Sequence, residues 1–408
     1  MVMKFVQQMG FRQIEQGKNM DFELTEEQKR FKEEVSAFLD KQVTRGVVEE
    51  SEAGLGFGPY SWELLRKLGD KRWLAPTFPV EYGGLGLSRI YRFIIQHELD
   101  YRNALQGLPG VGLIGVDMAG PVILRHGSDE LKREFLPRIA SGEIELALGY
   151  TEPDAGSDLS RISIRAVEDG DDFIITGQKT FNTHCHFAQY HWLAVRTGSD
   201  VPSHKGISMF IVDLKSPGIT LNPLREMSDI RTNEVFYDEV RVPRKYLVGE
   251  KDMGWYYMAE ALDLERMVVI GAAERTFEQL LIYAKNTLKN GAPLSKYPSV
   301  RQKLVDLAIE INVARNLIRH VVWLQDQEVP SEETSVLKLF VCELYQKIAR
   351  VGLEILGPCG QLRRNSKYAV FDGAMEHFFR ATYVVTIGGG TSEIMRNIIA
   401  TRGLGLPR

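Results

Sequence analysis

The sequence contains little cysteine, with Cys185, Cys342 and Cys359 as its only three in 408 residues. Three cysteines are too few for a disulfide framework, and their spacing does not match that of metal-ligand pairs. The flanking His184 and His186 have no further Cys or His partner at a suitable spacing. The sequence therefore predicts no metal site, and a reducing, cytoplasmic setting is the default expectation.

The chain also lacks long apolar runs and an excess of basic charge. No stretch approaches the roughly 20 consecutive apolar residues that a membrane helix needs, so no membrane insertion is predicted. The formal net charge is -4, whereas a general nucleic-acid binder usually carries a basic stripe. With 44% hydrophobic and 25% charged residues, the composition is typical of a globular protein. The length suggests two or three domains or layers.

Residues 1–19 precede a second methionine, Met20, and carry net positive charge. They could be interpreted as a targeting segment, but an apolar core and a small-residue cleavage site are missing, which disfavours a secretory signal. We expect an N-terminal extension that is disordered or that reflects an upstream start codon.

The segment 20–145 has a helical pattern. Leu24, Phe31, Val35 and Phe38 are spaced for one face of a helix. Thr25, followed by two glutamates and a glutamine, supplies an N-terminal cap and acidic first-turn residues. Further along, the run from Ala119 to Glu143 predicts two short helices broken at a glycine. An N-terminal helical domain is therefore predicted over 20–145.

The segment 146–250 changes to short runs rich in Val, Ile, Phe and Tyr, separated by Gly, Pro, Asp and Ser. Such runs at close spacing predict a small antiparallel sheet or barrel. The helical period returns over 251–408, where segments near 253–289, 297–326, 332–356 and 366–401 are long enough for a four-helix bundle. The predicted fold class is α+β, with a helical domain, a β-barrel-like domain and a helical bundle in that order.

Four short segments carry most of the chemical information. They are TEPDAGSD beginning at Thr151, GQKTFNT beginning at Gly177, NEVFYDEVRVP beginning at Asn233 and GTSEIMR beginning at Gly390. A short Gly/Ser loop alone is a weak signal. These four, in this order on the predicted strands and helices, resemble the acyl-CoA dehydrogenase superfamily over nearly the whole chain from Met20.

The resemblance implies FAD as the cofactor and an acyl-CoA thioester as the substrate. It also implies a homotetramer that passes electrons to an electron-transfer flavoprotein. Thr151 would hydrogen-bond the pyrimidine side of the flavin, Phe181 would lie against the isoalloxazine ring, and Thr183 would lie near its N5. Many relatives have tryptophan where Phe181 stands. The cofactor-binding residues implied by the resemblance are Leu148, Tyr150, Thr151, Gly156, Ser157, Phe181, Thr183, Thr391 and Glu393.

Dehydrogenation of a thioester removes a proton from the α carbon while a hydride leaves the β carbon. The α proton is weakly acidic, so a desolvated carboxylate base and a polarised carbonyl are needed. In the best-known members the base is a glutamate immediately before the final Gly-Thr, where this chain has Gly389. A subset that includes isovaleryl-CoA and long-chain enzymes carries its base on the first helix of the last domain, and Glu265 matches that position. Gly389 would still offer its backbone N–H to the thioester carbonyl.

Other interpretations of Glu265 remain open. Next to Arg266 on a helix, it could form an ordinary interface salt bridge. Asp263 is the nearest competing base, although the resemblance assigns it to CoA contact, and Glu98 and Asp100 are lesser candidates that would line the acyl pocket. The substrate-binding residues implied by the resemblance are Ser157, Glu98, Asp100, Leu262, Asp263, Arg266, Gly388, Gly390 and Arg396. A base at Glu265 favours a branched, alicyclic or otherwise bulky acyl group.

Two segments depart from the family pattern. An Arg-x-x-Phe-Gly phosphate clamp is replaced by a run in which Thr287 and Asn290 stand for the Arg and the Phe. Lys285 or Lys289 could supply charge, but as a point donor rather than a rigid fork. A Gln-x-x-Gly-Gly segment begins instead with Glu354, whose carboxylate should repel a pyrophosphate.

Alternative functions use the same fold. The flavin site could serve an enoyl-CoA reductase or a flavin monooxygenase. The chain could also be a non-catalytic partner subunit of a heteromeric dehydrogenase, or a nucleic-acid-associated relative, although its acidic charge disfavours the last.

Overall fold

The computed structural model describes residues 23–52, 57–105, 113–198, 202–327 and 332–407. The predicted extension at 1–19 lies outside these residues. The described residues divide into two compact units, one within Val35–Glu265 and the other formed by residues 266–407 together with 23–34. We describe each unit by itself.

The first helix, α1 (Glu26–Gln42), begins where the sequence predicts it. The Thr25 hydroxyl accepts a hydrogen bond from the Gln28 N–H at 3.2 Å, and the Gln28 side chain accepts one from the Thr25 N–H at 2.9 Å. This reciprocal pair is a capping box, and it satisfies two backbone donors that a helix start leaves without partners. The predicted cap at Thr25 is therefore confirmed.

Among the described residues of the first unit, five further helices precede the sheet. They are α2 (Arg45–Glu52), α3 (Pro59–Asp70), α4 (Arg89–Tyr101), α5 (Gly120–His126) and α6 (Asp129–Ala140). The break between α5 and α6 falls at Gly127, as predicted. Ser128 begins α6, where its hydroxyl accepts a hydrogen bond from the Leu131 N–H at 3.2 Å.

An eight-stranded sheet follows in the same unit. Its strands are β1 (Leu146–Gly149), β2 (Arg165–Asp169), β3 (Asp172–Lys179), β4 (Tyr190–Arg196), β5 (Ile207–Asp213), β6 (Ile219–Arg225), β7 (Arg231–Pro243) and β8 (Leu247–Val248). The hydrogen-bonded order is β6-β7-β3-β2-β4-β5-β8, and β1 also pairs with β4. Most pairs are antiparallel, as predicted, but β4 pairs in parallel with both β1 and β2.

The sheet encloses a core that includes Phe173, Leu193, Phe210 and Val235, each 0% exposed. The register between β3 and β7 shifts between Ile175 and Gly177. Gly177 has φ +142°, and a Cβ there would lie 2.9 Å from the backbone of Ile164, so the bulge requires glycine. The unit ends with α7 (Gly254–Glu265), which packs on β5 and α5.

The second unit is helical. Its helices are α8 (Gly271–Asn286), α9 (Pro298–Asp326), α10 (Glu333–Leu356), α11 (Ala374–Val385) and α12 (Ser392–Ile398). A two-stranded hairpin of β9 (Leu288–Lys289) and β10 (Ala292–Pro293) precedes α9. The central α10 contacts α8, α9, α11 and α12.

Two of the four helical segments predicted over 251–408 are divided. The segment near 253–289 breaks after Glu265, because the β-branched run Val268–Ile270 turns inward and is buried instead of continuing the helix. The segment near 366–401 breaks at Gly388–Gly390, where two glycines have positive φ. The α+β fold class, with helices, then a β domain, then helices, is confirmed. Among the described residues, no helix combines the length and apolar character needed to cross a membrane.

Candidate active site

Glu265 is the last residue of α7 and is partly buried. One turn earlier, Glu260 fixes the helix to α5, because its carboxylate lies 2.5 Å from the Arg125 guanidinium and 2.9 Å from His126 Nε2. The ring of Tyr257 lies 4.5 Å from the His126 ring. These contacts hold the C-terminal half of α7 in place, so the position of Glu265 is set by the packing of its own helix.

Tyr150 follows β1 and lies close to Glu265. Its phenol is buried at 2% exposure and accepts a hydrogen bond from the Trp192 indole N–H at 2.9 Å. Burial raises the pKa of Tyr150, and the negative charge of Glu265 raises it further. The end of α7 therefore lies near the start of the TEPDAGSD segment. The resemblance predicts that these two features share a site.

A buried ion pair joins the TEPDAGSD and GQKTFNT segments. Lys179 Nζ, at 0% exposure, lies 2.8 Å from Glu152 Oε1 and donates to the Tyr150 carbonyl at 2.8 Å. Burial lowers the pKa of Lys179 to about 8, although Glu152 opposes that shift. Burial acts to raise the pKa of Glu152, but Lys179 and two hydrogen bonds from Ser163 outweigh it and lower the pKa. The pair fixes both segments in one arrangement.

The solvent-exposed part of the TEPDAGSD segment includes its Gly-Ser pair. Gly156 and Ser157 are exposed, and a Cβ at Gly156 would meet no atom within 4 Å. Asp158 then begins a 3-10 turn by accepting a hydrogen bond from the Ser160 N–H at 3.1 Å. Thr151 is partly buried, and Leu148 is a partly buried residue of β1. The exposed backbone at Gly156 is suited to close approach of a ligand.

Phe181 is presented by a loop with unusual backbone geometry. Its φ is +55°, and its side chain is 60% exposed. The neighbouring Thr180 N–H donates to the Thr151 carbonyl at 2.9 Å, so this loop lies directly beside the TEPDAGSD segment. Thr183 is partly buried in the same loop. Thr151, Phe181 and Thr183 thus lie on two adjacent segments of the structure.

His184 and Cys185 continue that loop into the interior. Burial, with a smaller effect from His186, lowers the pKa of His184 to about 4, so its ring is neutral at pH 7. Burial raises the pKa of the Cys185 thiol, whose sulfur lies 3.5 Å from His191 Nε2. Within the described ranges, no group of three His, Cys, Asp or Glu side chains could hold a metal ion.

The loop 180–187 has features expected of a cofactor-binding segment. Asn182 Oδ1 and His184 Nδ1 are buried and have no hydrogen-bond partner among the residues that the structure describes. Buried polar atoms without partners are uncommon in folded proteins and often mark a ligand-binding site. Together with an exposed aromatic ring and an adjacent open glycine, they fit the resemblance to a flavin site.

Glu98 and Asp100 lie on α4 and are buried at 6% and 1% exposure. Glu98 accepts a hydrogen bond from Arg102 at 2.7 Å, and Arg102 also bonds Asp40 at 2.7 Å. Glu98 therefore belongs to an ion-pair cluster on α4. Leu262 and Asp263 are partly buried residues in the last turn of α7.

In the second unit, the loop Gly388–Gly390 separates α11 from α12. Gly389 and Gly390 have φ of +66° and +106°. The φ of Gly390 is one that residues with a side chain rarely adopt, so that position favours glycine. Thr391 begins α12, where its hydroxyl accepts a hydrogen bond from the Ile394 N–H at 3.2 Å. The Thr391 hydroxyl therefore has a structural role in addition to the predicted one.

Glu393, Arg396 and Arg266 complete the predicted set in this unit. Hydrogen bonds from its own backbone N–H and from Thr391 lower the pKa of the exposed Glu393. Arg396 is half exposed and lies 2.6 Å from Glu343. Arg266 is buried at 8% exposure.

The two departures from the family pattern have local structural explanations. Asn290 and Gly291 have φ of +51° and +76° in the β9–β10 hairpin. An Asn-Gly pair with positive φ at both positions is a favoured two-residue hairpin turn. Glu354 forms an ion pair with Lys303, which offsets the charge that we expect to repel a pyrophosphate.

Sequence reasoning missed the residues that support the site. Glu152, Lys179, Asn182, Asn233 and Lys338 are all buried, yet none was predicted to have a role. For Lys179 the sequence offers a signal, because it is the single charged residue of the GQKTFNT segment. Glu152 is one of three acidic residues in TEPDAGSD, and the sequence does not show which of them enters the core.

Comparison with known proteins gives a consistent result. Three family models match in order: the acyl-CoA dehydrogenase N-terminal domain over residues 25–143, the middle domain over 147–240 and the C-terminal domain over 252–404. The acyl-CoA dehydrogenase FadE26 of Mycobacterium tuberculosis is 33% identical over 95% of this chain and 99% of the relative. The chain belongs to the acyl-CoA dehydrogenase family.

Two solved structures are similar to the whole of this acyl-CoA dehydrogenase. The structure titled Tcur3481-Tcur3483 steroid ACAD has a TM-score of 0.88 and 31% identity, covering 95% of this chain and 100% of that one. The ChsE4-ChsE5 complex from Mycobacterium tuberculosis has a TM-score of 0.87 and 33% identity, with the same coverage. The protein is thus an acyl-CoA dehydrogenase with FAD as its cofactor.

Proposed function

We propose that this acyl-CoA dehydrogenase uses Glu265 to remove the α proton of a bulky acyl-CoA thioester. The observation that carries the proposal is the position of Glu265. It ends α7, where it is partly buried, and its charge acts on Tyr150 at the start of the TEPDAGSD segment. A partly desolvated carboxylate beside the cofactor-binding segment is suited to act as a general base.

The chain's other residues position the reactants. FAD, when bound, accepts the hydride from the β carbon. The backbone N–H of Gly389 would donate to the thioester carbonyl, and the glycine's positive φ permits a backbone direction that other residues rarely adopt. Phe181 would cover the flavin with its exposed ring, while Thr151 and Thr183 would offer hydroxyls from two adjacent segments. Leu148, Tyr150, Gly156, Ser157, Thr391 and Glu393 are the further proposed cofactor-binding residues.

The proposed substrate-binding residues come from four segments. Ser157 and the loop residues Gly388 and Gly390 would contact the thioester and CoA, with Asp263, Arg266 and Arg396 as polar contacts. Leu262 would contact the acyl group. Glu98 and Asp100 would act at the floor of the acyl pocket, and the ion pair with Arg102 would neutralise Glu98 there.

We favour an alicyclic or otherwise bulky acyl group. The base at position 265 supports this, and the similarity to a structure whose title names a steroid ACAD supports a bulky group. A steroid side-chain or straight-chain thioester is the competing possibility.

Homotetramer formation and electron transfer to an electron-transfer flavoprotein are part of the proposal. The similarity to a ChsE4-ChsE5 complex also supports the alternative that this chain assembles with a second, related subunit. Purification of the chain expressed alone, with its mass measured in solution, distinguishes the two. A stable tetramer of about four times 46.2 kDa supports the homomeric form. A monomer or an aggregate that becomes soluble only with a second polypeptide supports the heteromeric one.

The decisive test is the visible spectrum of the FAD-loaded protein, followed anaerobically during additions of alicyclic, branched and straight-chain acyl-CoAs. Bleaching of the flavin band by the alicyclic class supports the proposal, and bleaching only by another class corrects the substrate. An enoyl-CoA reductase would instead reoxidise the reduced flavin on addition of the enoyl-CoA, and a monooxygenase would form product only after oxygen is admitted. A flavin that no acyl-CoA bleaches would contradict the proposal.

A further inference from the structure

The loop 180–187 leaves the sheet at an unusual point. The β3–β7 ladder ends with Lys179 paired to Val235. A regular continuation would place Phe181 opposite Asn233. Instead, the Asn182 N–H donates to the Asn233 carbonyl at 2.9 Å, one residue out of that register. The chain therefore turns at Phe181 and does not extend the strand.

This turn has a conformational cost. Phe181 has φ +55° and His184 has φ +74°, and neither is glycine. A non-glycine residue in the left-handed region is destabilised by steric contact of its Cβ, so it persists only where surrounding contacts hold it. At Phe181, the left-handed backbone accompanies a side chain that is 60% exposed and not packed in the sheet core.

Asn233 supplies the contacts that hold this turn. It lies in β7 at 0% exposure. Its Nδ2 donates to the Asn182 carbonyl at 2.9 Å and lies 3.2 Å from His186 Nδ1, while its Oδ1 accepts from Arg231 Nε at 3.1 Å. Both backbone groups of Asn182 are thus bonded to Asn233, one through the main chain and one through the side chain.

The turn is also tied to the segment beside it. Asn182 Nδ2 donates to the Thr180 carbonyl at 3.1 Å, and the Thr180 N–H donates to the Thr151 carbonyl at 2.9 Å. A change in the backbone at Asn182 would therefore reach its chain neighbours Phe181 and Thr183 directly, and Thr151 through these hydrogen bonds.

We propose that Asn233 is a positioning residue for the flavin site, which fixes the direction of the Phe181 ring and the Thr183 hydroxyl by holding both backbone groups of Asn182. The proposal rests on the flavin roles proposed above for Phe181 and Thr183. Asn233 itself acts through the loop and has no assigned contact with cofactor or substrate. Without its amide, the left-handed residues relax toward negative φ, and the aromatic ring leaves its position.

The test compares Asn233→Ala with Asn222→Ala, an exposed asparagine of β6 one register position away, where Asn222 pairs with Glu234. The wild-type protein is first titrated with FAD and bleached anaerobically with acyl-CoA. For Asn233→Ala we expect the Kd for FAD to rise about tenfold or more, since the side-chain contacts with the Asn182 carbonyl, His186 and Arg231 are lost. We also expect the visible absorption band of the bound flavin to shift. Amide hydrogen exchange should become at least about tenfold faster, and only over residues 181–186. Asn222→Ala should match the wild type in all three.

The outcomes separate the two proposals. If the wild type binds FAD and is bleached, but Asn233→Ala retains its FAD affinity, spectrum and exchange, the positioning role is wrong and the proposed function stands. Faster exchange throughout 165–242 with a lower Tm would show a general structural role and also overturn it. A wild type that binds no FAD would overturn the proposed function, and the positioning role with it.

Discussion

Lys338 donates a hydrogen bond from its Nζ to the carbonyl oxygen of Gly390 at 2.8 Å. The same nitrogen lies 3.3 Å from the Val385 carbonyl, in the last turn of α11. Lys338 is buried at 4% exposure in α10, so a cation held inside the helical unit bonds both sides of the glycine loop. A positive charge at the C-terminal end of α11 also interacts favourably with the helix dipole.

Replacing Lys338 with methionine should destabilise the protein. Methionine preserves most of the buried aliphatic stem, so the main change is the loss of the bonds to the Gly390 and Val385 carbonyls. We expect a decrease of about 1–3 kcal/mol in the free energy of unfolding, measured by urea denaturation. The loop change should also raise the KM for acyl-CoA, because the backbone of Gly389 and Gly390 would lose its support.

Lys347→Met is the matched control on the same helix. Lys347 is 38% exposed and pairs with Glu310 on α9. Exposed ion pairs contribute about 0–1 kcal/mol, so this variant should be nearly as stable as the wild type. Equal destabilisation of the two variants would contradict the role assigned to Lys338.

Replacing Glu265 with glutamine should remove the proposed base while keeping the shape of its side chain. We expect kcat to fall by at least about two orders of magnitude, which is typical for loss of a general base, while FAD and acyl-CoA still bind. Stopped-flow reduction of the flavin by acyl-CoA measures the loss directly. A near-normal rate of flavin reduction would contradict the assignment of Glu265 as the base and would point to Asp263 or Asp100.

Variants of two other carboxylates serve as comparisons for the Glu265→Gln result. Glu250→Gln changes an exposed carboxylate that lies shortly before α7 and has no assigned role in the site, and it should leave flavin reduction close to wild type. Asp263→Asn should act mainly on KM, as expected for a residue that contacts CoA. A large loss of kcat in Asp263→Asn with normal kcat in Glu265→Gln would mean that Asp263 is the base and that Glu265 is not.

Tyr150→Phe should destabilise the first unit by about 1–3 kcal/mol, because the buried Trp192 N–H would lose its acceptor at 2.9 Å. Denaturant unfolding followed by tryptophan fluorescence measures the change. Tyr246→Phe serves as the control, since its hydroxyl bonds the partly exposed Glu134 at 3.1 Å and should contribute less. A neutral Tyr150→Phe would show that the phenol is not needed to satisfy Trp192.

The local features of this fold follow from the sequence because they depend on neighbouring residues. The cap at Thr25, the break at Gly127 and the short strands of the middle segment were all predictable from a few adjacent side chains. The break after Glu265 was also encoded in Val268–Ile270, since consecutive β-branched residues favour leaving a helix. However, the residues on both sides of this run have a helical apolar periodicity, so the sequence pattern predicts one continuous helix.

The supporting contacts of the site could not be predicted in the same way. The Lys179–Glu152 pair depends on which strand residues enter the core, and the Asn233 contacts depend on a ladder that ends one residue early. Register is a property of the whole sheet, so no window of sequence specifies it. The residues proposed to touch the cofactor were accessible through resemblance, whereas the residues that hold them required the structure.

Glu145 gives a prediction about pH. Its carboxyl is 1% exposed, and its Oε1 accepts a hydrogen bond from the Gly115 N–H at 3.0 Å. Burial, with the nearby Asp117 charge, raises the pKa of Glu145 to about 8, while backbone hydrogen bonds and Arg92 oppose the shift. The folded protein therefore holds a proton on Glu145 at neutral pH that the unfolded chain, with a carboxyl pKa near 4.5, releases.

Because the folded state binds the additional proton, the stability contributed by Glu145 is fully present below about pH 4.5 and is lost as pH rises toward about 8. Glu145→Gln keeps a neutral side chain and removes this dependence. Urea unfolding at pH 5, 6, 7 and 8 should show the wild type losing stability relative to Glu145→Gln by up to about 1.4 kcal/mol per pH unit. Glu143→Gln, a half-exposed neighbour paired with Arg138, should parallel the wild type. A constant difference between wild type and Glu145→Gln would mean that Glu145 is ionised in the folded protein, with Arg92 compensating its charge more strongly than burial opposes it.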